Sequence, residues 1–219
     1  MIVVHHLNNS RSQRVLWLLE ELGVPYEIKP YQRNSETMLA PRELRAVHPL
    51  GKSPVITDGD ITVAETGAIV EYILETYGKG RLIPPPGTAE RRAYTYWLHY
   101  AEGSAMPPFV MRLVFGRVAT NAPALMKPVA KGIADGVIAN FIDPQIKHQM
   151  AWWEATLAKT AWFAGDDFTA ADIMMSFPAE VSKRIGAADY PHVAKFVETI
   201  HARPAYQKAL ERGGLYEIG

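Results

Sequence analysis

The residues best equipped for chemistry lie in one run, Gly51-Lys52-Ser53-Pro54-Val55-Ile56-Thr57-Asp58-Gly59-Asp60-Ile61-Thr62-Val63-Ala64-Glu65-Thr66. Proline has no N–H to give to a sheet ladder. Pro54 at the first residue of a short apolar strand therefore predicts an edge whose neighbours keep free backbone groups. Asp58-Gly59 is the dipeptide that type I′ hairpins prefer, which predicts a turn and a second short strand. Glu65-Thr66 then opens a helix whose unpaired N–H groups and positive dipole end favour a carboxylate. Lys52 stands ahead of the first strand, available to a second carboxylate. The chemistry implied is recognition of a small, extended, anionic peptide along exposed backbone.

A second cluster, Leu7-Asn8-Asn9-Ser10-Arg11-Ser12-Gln13-Arg14, leads from the first strand into the first helix. Ser10 offers a hydroxyl at the helix mouth, where serine is also among the best N-caps and needs no catalytic role. Arg11 and Arg14 oppose the helix dipole at this end. They read as anion contacts, as an ion pair between domains, or as solvated first-turn charges. Ser12 reads as structural. With no cysteine in the chain there is no disulfide framework, thiolate metal site or Cys-x-x-Cys pair. The histidines show no zinc spacing, and His5 and His6 point to opposite faces of a strand. No metal site is expected, and no Gly-x-Gly-x-x-Gly or P-loop pattern occurs.

The elements that position these residues fall into two regions. Ile2–His6 and Tyr26–Tyr31 read as strands, Ser10–Leu22 and Ala40–Val47 as helices, and the hairpin leads into a helix over Glu65–Tyr77. This βαβ unit followed by ββα has the thioredoxin-like order, and residues 1–80 form an α/β domain. Gly78-Lys79-Gly80 and Pro84-Pro85-Pro86-Gly87 break the pattern. Residues 88–219 then read as an all-α domain, with helices over Ala89–Glu102, Met106–Arg117, Pro144–Lys159, Thr169–Ile185 and Tyr190–Arg203. Thr169-Ala170-Ala171-Asp172 is a capping box, with Phe168 and Ile173 placed for a hydrophobic staple. The segment from Arg117 to Asp143 carries little signal. Formal charge balances at 23 against 23, so no electrostatic footprint points to nucleic acid or an anionic membrane. Without a long apolar run or a basic leader, the expected compartment is the cytoplasm.

The run His48-Pro49-Leu50-Gly51-Lys52-Ser53-Pro54, followed past the hairpin by Glu65-Thr66, resembles the glutathione-binding half of the glutathione S-transferase family, bacterial type. Phe163-Ala164-Gly165-Asp166-Asp167 with the capping box resembles that family's C-terminal helix-entry motif. The resemblance implies a cis Pro54, Ser53 backbone against the cysteinyl part of glutathione, and Glu65 and Thr66 against its γ-glutamyl end. It also implies Lys52 near the glycine carboxylate, and Arg11 at the same ligand. Family members that use a protein cysteine are excluded, and no tyrosine lies between Met1 and Gly23. The resemblance makes Ser10 the first choice for the thiolate donor, with Asn9 second because the serine of several family branches aligns there.

It further implies glutathione as co-substrate and an electrophile pocket between the domains. Tyr100, Met106, Phe109, Met111 and Phe115 are its candidates, with helix core as the alternative for each. Glu102 is expected as polar trim or a second-subunit contact. The implied activity is transfer of glutathione to a small hydrophobic electrophile by a cytoplasmic homodimer. A cysteine-free glutathione-dependent disulfide reductase and a non-catalytic binding protein remain alternatives. Lowering a thiol pKa by about two units takes roughly 2.7 kcal/mol. A helix N-terminus supplies about 0.3–2 kcal/mol and a hydrogen bond to a charged acceptor about 1.5–3 kcal/mol. One donor at a helix mouth therefore suffices, and neither contribution alone reliably does.

Overall fold

The computed structural model describes residues 1–37, 39–186, 189–214, 216 and 217. The last two residues of the expected second domain, 218 and 219, lie outside them. The β-branched start of the chain forms strand β1 (Ile2–Leu7) at the centre of a four-stranded sheet of order β2-β1-β3-β4. It runs parallel to β2 (Tyr26–Tyr31) and antiparallel to β3 (Val55–Asp58), which pairs antiparallel with β4 (Ile61–Ala64). Helices α1 (Ser12–Leu22), α2 (Leu44–Val47) and α3 (Thr66–Tyr77) complete the thioredoxin-like order.

Several expectations are corrected in detail. Strand β3 is interior, with β4 forming the edge, so Pro54 marks the point where chain enters the sheet. The hairpin loop is Gly59-Asp60, since Asp58 pairs with Ile61. Gly59 has φ 58° while Asp60 stays at negative φ, which fits a II′ rather than a I′ turn. Asp58 instead accepts hydrogen bonds from the Tyr72 and Tyr77 hydroxyls on α3. The second helix is only one turn long, starting at Leu44 and not Ala40.

Helix α1 departs most from its sequence pattern. Val15, Leu18, Leu19 and Leu22 promise one apolar stripe, yet Ser12, Gln13, Arg14, Leu16 and Trp17 are buried as well. The cause is packing on two sides. The sheet and α3 lie against one face, and α8 (Ala170–Ser182) and α10 (Pro204–Gly213) lie against the other. One continuous core therefore runs from Ile2 and Ile56 through Trp17 to Trp153, Met174 and Tyr206. Helix α10, which lies beyond the last helix read from the sequence (Tyr190–Arg203), begins at Pro204 and ties back to α1. Arg203 meets Glu21 through two nitrogens (2.6 and 2.9 Å), and Lys208 and Arg212 meet Glu20.

In the helical half, α4 (Ala89–Tyr100) continues through a π-helical turn (Ala101–Ala105) into α5 (Met106–Asn121). The turn stands directly before Pro107-Pro108. Pro108 has no N–H for the Ser104 carbonyl, and Gln149 Nε2 donates to that oxygen instead (2.9 Å). The quiet segment contains α6 (Lys127–Val137) and a second π turn (Ile138–Ile142). That turn leads into α7 (Asp143–Leu157), again beside a proline, Pro144. The Thr169/Asp172 capping box forms at the head of α8 as expected, and Asp172 also accepts from the Phe163 N–H (2.9 Å). Phe168 packs between the Trp17 and Trp162 rings. Helix α9 (Pro191–His201) is capped from α7, where Glu154 accepts from the His192 and Val193 N–H groups at 3.0 Å. Among the described residues, no helix is long and apolar enough to cross a membrane, and no cluster of acids and histidines is placed to hold a metal ion.

Candidate active site

A cleft opens where the turn before β3, the end of β4 and the heads of α1 and α3 converge. Its walls are Arg11, His48, Leu50, Lys52, Ser53, Pro54, Ala64, Glu65, Thr66 and Glu102. Arg11, Lys52, Ser53, Pro54, Glu65 and Thr66, separated by up to fifty-five positions in sequence, thus come together in one place. The Ser53–Pro54 peptide bond is cis. Ser53 is fastened to the central strand by its hydroxyl, which donates to the His5 carbonyl (2.9 Å). Lys52 is exposed and Pro54 buried.

The head of α3 is open. Glu65 precedes the first helical residue at φ 74°, ψ 126°, a conformation that L residues avoid, and its side chain makes no capping hydrogen bond. The first N–H groups of α3 have no intrahelical acceptor and sit at the positive end of the helix dipole. Such strain in an exposed residue at a helix mouth is what binding sites preserve and simple structure discards.

Across the cleft, charge is paired across the two halves. Arg14 is 1% exposed, donates to the Met174 carbonyl (2.7 Å) and to Thr66 Oγ1 (3.4 Å), and binds Glu102 Oε1. Arg11 Nε lies 3.2 Å from Glu102 Oε2, and both guanidinium groups lie over the Phe177 ring at 5.2 and 5.4 Å. Burial raises the Glu102 carboxyl, but Arg14 and Arg11 outweigh it and hold the pKa below the usual carboxylate range. Arg14 is therefore an ion pair between the two halves of the chain and no solvated charge. Within the chain Glu102 is the acid that pairs with Arg11 and Arg14, and so is more than polar trim. Sequence reasoning missed Glu102 and His48 as cleft residues. The signal for Glu102 was the pair of cations at a helix start, which needs an anion from elsewhere.

Ser10 and Asn9 lie at the head of α1, outside the cleft wall. Ser10 is 6% exposed, and its Oγ accepts from Ser12 N–H (3.2 Å) and lies 2.7 Å from Ser12 Oγ. Ser10 thus stands just before the helix and caps the Ser12 N–H with its Oγ, while Arg11 beside it makes no side-chain capping bond. Asn9 sits at φ 48°, and its Oδ1 accepts from Glu217 N–H (2.8 Å), which leaves Nδ2 as its donor. Of the electrophile-pocket candidates, Met106 and Phe109 are core residues, each 4% exposed, with Phe109 stacked on Trp153. They are corrected to packing roles. The Tyr100 hydroxyl accepts from Trp153 Nε1 (3.2 Å), and Met111 and Phe115 are half-buried on α5. None of the five lines the cleft.

A thioredoxin-like sheet that bears a peptide-sized cleft, followed by an all-helical half, defines the glutathione S-transferase class of fold. Residues 1–75 match the family model described as glutathione S-transferase, N-terminal domain, and residues 142–204 match its C-terminal counterpart. Glutathione S-transferase 3 from Schizosaccharomyces pombe is 34% identical over 97% of this chain and 88% of its own length. A glutathione S-transferase from Actinobacillus pleuropneumoniae superposes with a TM-score of 0.79 at 33% identity, covering 97% of this chain and 93% of its own. A glutathione transferase from Phanerochaete chrysosporium, solved with oxidised glutathione, shares the fold (TM-score 0.73, 19% identity, 97% and 94% covered). The chain belongs to the glutathione S-transferase family.

Proposed function

We propose that this chain is a glutathione transferase that activates glutathione as a thiolate and transfers it to a small hydrophobic electrophile. The observation that carries the reading is the single cleft in which Arg11, Lys52, Ser53, Pro54, Glu65 and Thr66 meet. In this reading the Glu65 carboxylate holds the γ-glutamyl ammonium. The open N–H groups at the head of α3 hold the adjacent carboxylate. Ser53 backbone runs beside the cysteinyl residue, and Lys52 and Arg11 supply cations for the remaining anionic groups.

The sulfur then faces the head of α1, where Ser10 is the donor. The Ser10 hydroxyl lies against Ser12, and a charged acceptor is the stronger partner, so the Ser10 proton turns to a bound thiolate. Asn9 Nδ2 is the second donor. The thiol proton leaves to solvent, and the sulfur lone pair forms the new bond to the electrophilic carbon. Any leaving group departs with its electron pair, and proximity supplies the rest of the rate. The electrophile is placed beside Met111, Phe115 and Tyr100.

A homodimer in the cytoplasm completes the proposal. It is supported by an exposed apolar face on α5 and α6, where Leu113, Val114, Val118, Met126, Val129 and Ile133 are each more than half exposed. Titrating the glutathione complex with pH while following thiolate absorbance tests the reading. Thiolate below neutral pH is the expected result. Glutathione bound only as thiol would favour a disulfide reductase or a binding role, and absence of binding would leave a shared fold without the activity.

A further inference from the structure

Behind Ser10 the head of α1 holds a buried chain of polar atoms that leads away from the cleft. Ser10 Oγ lies 2.7 Å from Ser12 Oγ, and Ser12 Oγ lies 2.8 Å from His6 Nδ1. Ser12 is fully buried and His6 is 4% exposed. The other side of the ring lies close to Gly213 at the end of α10. A larger residue at Gly213 would require the Gln13 and Leu16 side chains to shift. A Cβ at Gly213 would stand 2.6 Å from Gln13 Oε1, 2.8 Å from Leu16 Cδ1 and 3.4 Å from His6 Cε1.

These partners assign the protons. With the Ser12 hydroxyl turned to Nδ1 at 2.8 Å and not to the Leu7 carbonyl at 3.3 Å, Nδ1 is an acceptor and the neutral ring carries its hydrogen on Nε2. Ser12 Oγ–H then donates to Nδ1, which leaves the Ser12 oxygen to accept from the Leu7 N–H (3.3 Å) and from the Ser10 hydroxyl. Burial holds the His6 pKa below its ordinary value, against the Gly213 backbone, so the neutral ring that this arrangement needs persists at pH 7. The Ser10 oxygen is meanwhile pinned by the Ser12 N–H, and its proton alone is free to swing.

We propose that Ser12 and His6 are positioning residues: they fix the Ser10 hydroxyl at the mouth of α1 and connect it to the end of α10. The proposal rests on the reading of Ser10 as the thiolate donor. A donor held in place before the ligand arrives loses little on forming its bond, which is the condition for strong stabilisation of a developing charge. With the Ser12 hydroxyl or the His6 ring removed, the Ser12 N–H alone holds the Ser10 hydroxyl in place, and it meets the sulfur only part of the time.

The test compares Ser12→Ala, His6→Leu and His6→Asn with the parent protein, each shown to melt cooperatively. The Asn Oδ1 stands close to the place of Nδ1 and keeps the acceptor for Ser12. Expected for S12A and H6L is a bound-thiol pKa about one unit higher, with kcat near neutral pH down roughly tenfold and KM for glutathione within about twofold. H6N is expected to restore most of both. Imidazole ¹⁵N NMR of the glutathione-free protein gives a readout independent of activity: an Nε2-protonated ring whose Nδ1 resonance moves in S12A. A parent complex with normal thiolate and no change in S12A and H6L would overturn the relay alone. A parent complex with no thiolate would overturn the transferase reading and the relay with it. Equal losses in H6L and H6N would reduce His6 to packing and overturn its positioning role.

Discussion

Two helix mouths face the same cleft and are built in opposite ways. At the head of α1 three buried side chains are committed within the chain: Ser10 to Ser12, Ser12 to His6, and Arg14 to Glu102 and the Met174 carbonyl. At the head of α3 the N–H groups are open, the preceding residue is strained, and its carboxylate is exposed. Both ends carry the same dipole. The difference is that the donors at the head of α3 are left free for an anion, whereas those at the head of α1 are spent on holding its own side chains still.

The largest expected effect lies on the closed mouth. Glu102→Ala leaves the Arg14 guanidinium buried without its carboxylate, and removing one partner of a buried pair costs about 3–5 kcal/mol. Thermal unfolding should show a fall of roughly 10 °C; an unchanged melting temperature would mean that the pair is not what closes this end. The Glu102 pKa is depressed in the folded protein, so its contribution is complete above the ordinary value of 4.5 and is lost as pH falls through the folded value. Stability measured on acidification below pH 4.5 should therefore drop more steeply for the parent than for Glu102→Gln.

Glu65→Gly probes the open mouth, with effects of opposite sign. Glycine accepts φ 74° without penalty, so stability should rise by about 1 kcal/mol. Loss of the carboxylate should weaken glutathione binding by about tenfold to a hundredfold, read by calorimetry. A loss of both would make Glu65 structural and erase the contrast. Next in size, Ser10→Ala should lower kcat more than tenfold with little change in glutathione affinity. If turnover survives and Asn9→Ala abolishes it, the donor is Asn9. The smallest effect belongs to a third helix mouth, that of α8, closed by its capping box and outside the Arg11–Thr66 cleft. Thr169→Ala should cost about 1 kcal/mol in denaturant unfolding and leave turnover untouched.

Much of this arrangement was legible in the sequence where it depends on neighbours in the chain. The strand order, the linker, the capping box and most of the cleft wall follow from local runs, because turns, caps and hairpins are specified within a few residues. Residues 51–66 alone supply Lys52, Ser53, Pro54, Glu65 and Thr66. Features that depend on distant partners were not legible. Arg14 is paired with residues 88 and 160 positions away, and nothing beside it marks it as buried. Ser12 reads as one more helix-start serine until β1 brings His6 beside it. The turn at Gly59-Asp60 was misplaced by one residue because Asp-Gly is a strong local preference, and strand register overrode it. Met106 and Phe109 read equally as pocket wall and as core, and only the placement of α7 against α5 decides for core.

The π turn at Ala101–Ala105 has a further consequence. Its closing bond runs from Met106 N–H to the Ala101 carbonyl, so the loop of backbone contains one residue more than an α turn would. Each helical residue advances about 100° around the axis. The surplus residue therefore changes the rotational phase between the α4 surface and the α5 surface without breaking the rod. Glu102 sits inside that phase change. A lineage that deleted one residue here would swing all of α5 by roughly a quarter turn against α4. Length at this single point sets which face of α5 turns inward, separately from the identity of any residue on that face.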